Sequence, residues 1–308
     1  MQKLNLNLQL GDVVLYRKQI PLIKTSNTNF MQSEPLQSLE NLPVDTAALP
    51  HYFPRMSVSD ELTSTKMVSK DGVLYYVRSS YLNHYIKLSD YDSFDDYLGK
   101  FSAKSRSTLK RKVRKAESSG FTYKIYQTVE DVEEFHSNAC KVGEQTYQKK
   151  LFDAALPNTD AYLQKITKEA EKGHFLGLVL YKDNEPCAYL YCPIADNSYI
   201  YAYLGYLPVH SKFSPGTVLQ FIALQHIYSS ELNAEYFDFT EGDGSHKALF
   251  ATGYKTCCNI LVLEDAFKNN LWLKLQLFTD SFSTKLGQFL DKYDLKNKIK
   301  KLIRRKSV

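Results

Sequence analysis

The chain has 308 residues, 44% apolar and 13% aromatic, enough to build one large core or two ordinary ones and too apolar for a disordered segment. No apolar run reaches the roughly 18–20 residues that cross a bilayer, and the start MQKLNLNLQLGDVVLYR holds no apolar stretch of signal-peptide length, so a cytosolic location is expected. The five cysteines (Cys140, Cys187, Cys192, Cys257 and Cys258) form no C-x-x-C pair, which argues against a disulfide framework and against a metal site.

In chain order, residues 1–99 read as a mixed α/β region. Segments 13–16, 73–78 and 84–88 have the composition of strands. Asp71-Gly72 is a turn before a Tyr-rich strand, and 92–98 form a short helix with Asp90 or Asp92 as cap. Pro35, Pro43, Pro50 and Pro54 mark irregular chain in between. Residues 100–120 then form a connector: a helix over about 102–118, stopped by Gly120, with Leu109, Val113 and Ala116 on one apolar seam. Its 100–115 segment (KFSAKSRSTLKRKVRK) carries eight basic residues and no acid.

Residues 121–265 are more regular. A strand (FTYKIY, 121–126) precedes a helix over 128–147 with an acidic first turn and a second helix over 159–172, ended by Gly173. Three strands at hairpin spacing follow, 174–181, 186–193 and 198–206, turning at Asp183-Asn184 and Asp196-Asn197. A helix over 215–231 has Ser214 as N-cap and Pro215 at its first position. A strand over 235–240, a short helix over 245–252 and a strand over 256–264 complete the segment.

Residues 266–308 read as helix, ending in a basic amphipathic tail. Residues 285–308 carry nine basic side chains against Asp291 and Asp294, a local charge of +7. The total is only +5, so the two basic blocks sit on an otherwise acidic chain. Such blocks suit phosphates, an acidic carrier protein or an anionic membrane surface. In LKNKIKKLIRR the apolar Leu295, Ile299, Leu302 and Ile303 share one side, the pattern of a membrane-surface or carrier-protein contact. The plain alternative for both blocks is a solvated helix face. No nucleic-acid reading motif accompanies them, and nucleic acid ranks last among the partners.

Two stretches carry candidate chemistry. In YLGYLPVHSKFSPGTVL (203–219) a strand runs through a loop into a helix start with a Gly in its first turn. Unpaired N–H groups and the positive helix end make an anion cradle there, to which Ser214, Thr217 and Lys212 or His210 can add contacts. Most such helix starts are plain caps. In FDFTEGDGSHK (237–247) a strand ends in Asp238, and Glu241, Asp243, His246 and Lys247 follow on the loop and next helix. Gly242 and Gly244 around Asp243 are ordinary turn chemistry, but three carboxylates with a Lys exceed what a turn needs, and strand ends are where open sheets bind ligands. Hydrolase, P-loop and dinucleotide signatures are missing from the sequence.

The element order over 120–264 resembles the GNAT acyltransferase superfamily. SAKSRSTLKRKVRKAESSG, YLPVHSKFSPGTVLQFIAL and YFDFTEGDGSHKALFATGY together resemble the CelD/BcsL-type acetyltransferases, relatives of the Fem-type aminoacyl ligases. The group's D-F-x-x-G-D-x-x-Y-K reads here as Asp238, Phe239, Gly242, Asp243, His246 and Lys247, so His246 replaces a Tyr. The resemblance implies a fold of α/β (α+β) class: a mixed, mostly antiparallel sheet flanked by helices, over 121–265. It also implies that residues 1–99 form a degenerate GNAT-like half.

It further implies acyl transfer from a coenzyme A thioester, acetyl-CoA first, to a small-molecule amine, with an amino sugar of envelope polysaccharides as acceptor. Ser214, Gly216, Thr217, Val218 and Lys212 would hold the pyrophosphate. Main-chain groups of Leu204, Tyr206 and Leu207 would face the thioester. Asp243 or Glu241 would serve as base, Asp238 would hold the acceptor or the loop, Lys247 would neutralise an oxyanion or pair with Asp243, and Tyr254 would protonate the leaving thiolate. Arg106, Glu144, Tyr147 and Tyr203 would line the acceptor pocket. The competing readings are a Fem-type transferase using aminoacyl-tRNA and a non-catalytic scaffold of the same fold.

Overall fold

The computed structural model describes residues 2–10, 13–24, 31, 33–64, 66–77, 80–146, 155–231, 234–242 and 244–292. The chain divides into two compact units, Met1–Ser80 with Thr256–Val308, and Tyr81–Lys255. The first unit opens with a long hairpin, β1 (Gln2–Leu10) against β2 (Val13–Lys24). β2 pairs parallel with β3 (His51–Ser57), and β4 (Lys66–Lys70) pairs antiparallel with β5 (Val73–Val77). Asp71 and Gly72, both at positive φ, make the turn between β4 and β5.

The second unit holds β6 (Tyr81–Lys87), α1 (Phe94–Gly99) and the basic helix α2 (Ala103–Ser118). Ser93 caps α1 through the Asp96 N–H, in place of the expected Asp90 or Asp92. Ser102 caps α2 through the Ser105 N–H, and Gly120 at φ +78 lets the chain leave it. Then come β7 (Phe121–Tyr126), α3 (Val132–Gly143), α4 (Asp160–Glu171), β8 (Gly177–Lys182) and β9 (Glu185–Tyr191). β10 (Ile194–Ala195), β11 (Ser198–Ile200) and β12 (Tyr203–Tyr206) lead to α5 (Pro215–Ser229), β13 (Tyr236–Asp238) and α6 (Ser245–Phe250).

One sheet has the order β12-β9-β8-β7, antiparallel throughout. Alternation along its strands gives it two apolar faces. Leu178, Leu180, Ala188 and Leu190 join the core that holds α2 and α5. Val179, Tyr189 and Tyr191 join the core that holds α3 and α4. α5 is apolar on nearly every side and is buried accordingly. The turns at Asp183-Asn184 and Asp196-Asn197 put all four residues at positive φ, as two-residue hairpins require. A second set of strands runs β10-β11-β13-β6, with β11 and β13 parallel.

β14 (Gly253–Glu264) and α7 (Phe267–Lys292) return the chain to the first unit. β14 pairs with β3 and β5, and Leu273 of α7 is buried among Leu6, Ile20 and Leu261. The α/β class with antiparallel-rich sheets is as expected. β6 pairs with β13, and β14, from Thr256 on, belongs to the first unit, where it pairs with β3 and β5. Among the described residues no helix is long and apolar enough to cross a membrane, and no group of His, Cys, Asp or Glu could hold a metal ion. The tail 295–305 lies outside the described residues.

Candidate functional site

The stretch expected as one strand, 198–206, is two. β11 pairs parallel with β13 in the register Ser198↔Tyr236 to Ile200↔Asp238, and the last shared bond runs from the Tyr201 N–H to the Asp238 carbonyl at 2.8 Å. At the next residue the chain changes partner: the Ala202 N–H donates to Tyr191 of β9, and among the described residues β12 pairs with β9 alone. β13 stops at Asp238, and Thr240 and Gly242 at positive φ turn the chain away. A wedge opens between β12 and the end of β13.

The antiparallel alternation decides which groups face the wedge. The Leu207 N–H donates to the Cys187 carbonyl at 2.8 Å, so Gly205, two residues earlier, also points towards β9. The main-chain groups of Leu204 and Tyr206 therefore point to the open side. Leu207 does not: its N–H is spent on β9 and its side chain packs into the core.

α5 begins beside this opening. Ser214 is left-handed (φ 54, ψ 53) and makes no side-chain cap, contrary to the N-cap role expected of it. Its carbonyl accepts the Val218 N–H at 3.1 Å. Pro215 has no N–H, so the first-turn donors that find no partner among the described residues are Gly216 and Thr217. Val218, buried and already bonded, is not one of them. A Cβ at Gly216 would lie 2.9 Å from the Cδ2 of Leu204, so the missing side chain is what keeps the cradle open towards β12.

The resulting cavity, of about 400 Å³, is lined by Tyr201, Leu204, Tyr206, Ser211, Ser214, Pro215, Gly216, Thr217 and His246. Tyr201 is nine-tenths buried, and its hydroxyl has no partner among the described residues. Desolvation holds that hydroxyl well above the usual tyrosine range, so it stays protonated. His246 stands 6.2 Å from the Tyr201 ring, centroid to centroid. Its imidazole is held below the ordinary histidine range, first by desolvation and then by the Lys247 charge, which favours the neutral ring at pH 7. Neither Tyr201 nor Ser211 was among the expected site residues. Tyr201 reads in the sequence as one more strand aromatic, and only the change of strand partner brings it to the wedge.

The acidic loop divides differently from expectation. Asp238 is 1% exposed and accepts the Asn83 amide and the Thr240 N–H, each at 2.8 Å. Through the Thr240 N–H it holds the loop. Glu241 is exposed, and its main-chain carbonyl accepts the Lys247 ammonium at 2.6 Å, a brace across the loop. Asp243 lies outside the described residues. Tyr254 is 61% exposed, packs 6.1 Å from His84 and does not line the cavity. Lys212 lies over the Phe213 ring at 5.2 Å and does not line it either.

Arg106, Glu144 and Tyr203 do not line this cavity. Arg106 is on α2, which packs with α5. Tyr203 belongs to the opposite face of the sheet, 6.1 Å from Tyr162, and Glu144 at the end of α3 is exposed and accepts a bond from Asn158. Tyr147 lies outside the described residues.

Residues 103–255 match a family model described as an acetyltransferase (GNAT) domain. No curated protein sequence matches the chain. Among solved structures it is similar to the C-terminal domain of a proposed lysylphosphatidylglycerol synthetase from Agrobacterium fabrum, at 14% identity over 74% of this chain and 72% of that one, with a TM-score of 0.48. It is also similar to FemX (14% identity, 74% and 75% coverage, TM-score 0.46) and to a tandem GNAT protein from the clavulanic acid biosynthesis pathway (9%, 70% and 64%, 0.40).

Proposed function

We propose that this chain, which carries a GNAT-type acetyltransferase domain over residues 103–255, is an N-acyltransferase that moves an acyl group from a coenzyme A thioester to an amine. Acetyl is the first acyl group to test, and an amino sugar of envelope polysaccharide biosynthesis the first acceptor. The observation that carries this reading is the parting of β12 from β13 beside the unpartnered N–H groups of Gly216 and Thr217.

The donor site fits the group proposed for it. Two free N–H groups at the positive end of a 15-residue helix suit a pyrophosphate. The slot above them, with the open-side N–H groups of Leu204 and Tyr206, suits an extended chain ending in a carbonyl. Those donors would stabilise negative charge developing on the thioester oxygen, a contribution of roughly 3–4 kcal/mol for a well-aimed donor. The Tyr201 hydroxyl, kept protonated by burial, can donate a hydrogen bond to the departing sulfur.

An amine acceptor is protonated at neutral pH and must lose a proton before or during attack. His246 lines the cavity, its charged form is disfavoured, first by desolvation and then by Lys247, and we assign it that role. Lys247 and Asp238 become positioning residues, bracing the loop that leads to α6. Asp243 keeps the role of second base, argued from its place in the motif.

The test has two steps. Acyl-CoAs are screened for thermal stabilisation of the full chain, and free thiol release is then followed with amino sugars. Stabilisation by acetyl-CoA with thiol release that survives RNase treatment is the expected result. Binding without release from any amine would leave a scaffold, and activity that requires aminoacyl-tRNA would replace the donor.

A further inference from the structure

α7 has two apolar faces, and the described residues cover only one of them. Leu273 is fully buried in the first unit's core, with Trp272 and Leu277 packed beside it. On the opposite side Phe267, Leu271, Leu275, Phe278 and Phe282 are 83%, 48%, 43%, 66% and 47% exposed. Their spacing (i, i+4, i+8, i+11, i+15) is one continuous helical stripe, about 22 Å long at 1.5 Å per residue. Phe278 and Phe282 stack along it, 6.4 Å between centroids.

Eight residues between 267 and 282 are exposed: these five, Lys268, Lys274 and Ser281. None is acidic. At 100° per residue the stripe spans about 80°, with Lys268 and Lys274 about 20° beyond its two margins. Residues 285–308, which follow directly in sequence, carry the local charge of +7.

We propose that this face of α7 docks on an anionic membrane surface, with the helix lying in the interfacial plane. The five apolar side chains would enter the acyl boundary while Lys268 and Lys274 extend to the lipid phosphates. The basic sequence that follows adds long-range attraction to the same surface. A second copy of the chain fits less well. Pairing two such stripes would bring lysines against a face that offers no carboxylate, and an acidic protein would need both an apolar ridge and flanking acids to match it. The inference does not depend on the proposed chemistry of the second unit.

The full chain is floated with vesicles of phosphatidylcholine alone and with vesicles containing phosphatidylglycerol, alongside a variant combining Phe267→Ser, Phe278→Ser and Phe282→Ser. Binding to the anionic vesicles is expected, weakened but not abolished by salt, with affinity falling more than about tenfold in the variant while its far-UV circular dichroism is unchanged. Failure of the unmodified chain to bind overturns the proposal, and so does equal binding by the variant, which would assign the contact to the basic tail. A concentration-dependent dimer that the same substitutions dissociate would show that a second copy covers the stripe.

Discussion

Asn83 and Asp238, 155 positions apart in sequence, are joined by a buried hydrogen bond of 2.8 Å from amide to carboxylate. The same carboxylate oxygen accepts the N–H of Thr240, the residue whose left-handed backbone turns the chain out of β13. One bond therefore links β6 to the point where the wedge opens. A hydrogen bond to a buried charged group is worth roughly 1.5–3 kcal/mol. Asn83→Leu is expected to destabilise the chain by about that much in urea unfolding and to lower acyl-transfer turnover through the displaced loop. A stable Asn83→Leu protein with unchanged turnover would remove the pair from the positioning of the site.

Gly216 is the position where binding and stability should separate. In the first turn of a helix, Gly→Ala ordinarily gains a few tenths to about 1 kcal/mol. Here the added carbon comes within 2.9 Å of Leu204 across the cavity. Gly216→Ala is expected to keep or slightly raise the melting temperature while raising KM for the acyl donor about tenfold, and Gly216→Val further. Parallel loss of stability and binding would mean that the glycine serves packing and not the ligand.

Much of this arrangement was legible in the sequence, and the illegible part has a common cause. Local patterns sufficed for α2, with its seam of Leu109 and Ala116, for β7 to β9, and for the two Asp-Asn turns, where residue type alone selects positive φ. The break between Ile200 and Tyr203 has no local marker. No Gly or Pro falls there, and the strand parts because two different partners, β13 and β9, claim its halves. Tyr201 and Asn83 carry no local signal for the same reason: their significance is tertiary. Ser214 looks like a cap by composition, yet its left-handed backbone turns its hydroxyl away from that use. The pairing of β14 with β3 and β5, which ties residues from 256 onward to the amino-terminal sheet, likewise depends on contacts about two hundred residues apart.

Lys100 offers a test of how α6 is held. Its ammonium donates to the Phe250 carbonyl at 2.7 Å and to that of Ala251, at the end of the helix that carries His246. Desolvation lowers its pKa from 10.5 to about 8. Between these two values the unfolded chain binds more protons than the folded one, so this group makes stability rise with pH across that window. Lys100→Met is expected to remove the rise. The check is the difference in urea midpoint between variant and parent from pH 7.5 to 10, and a difference that stays constant would show that Lys100 titrates normally.

His246 ties the electrostatics of the cavity to the rate. Its charged form is disfavoured, first by desolvation and then by Lys247, so its folded pKa lies below the unperturbed value of about 6.5. If the neutral ring accepts the amine's proton, kcat/KM for acyl transfer rises with pH through that depressed pKa, and its ascending limb lies on the acid side of 6.5. Two substitutions separate this from a structural role. His246→Gln, which keeps a polar group of similar reach, should lower kcat by about a hundredfold or more and abolish the limb. Lys247→Met removes a positive neighbour and should move the limb to higher pH, because the imidazolium is then less disfavoured. Stability carries the complementary sign: a histidine held neutral in the fold costs stability as pH falls below 6.5, and His246→Gln should flatten that loss. An ascending limb that Lys247→Met leaves in place would assign the titration to another group, with Asp243 the next to be replaced.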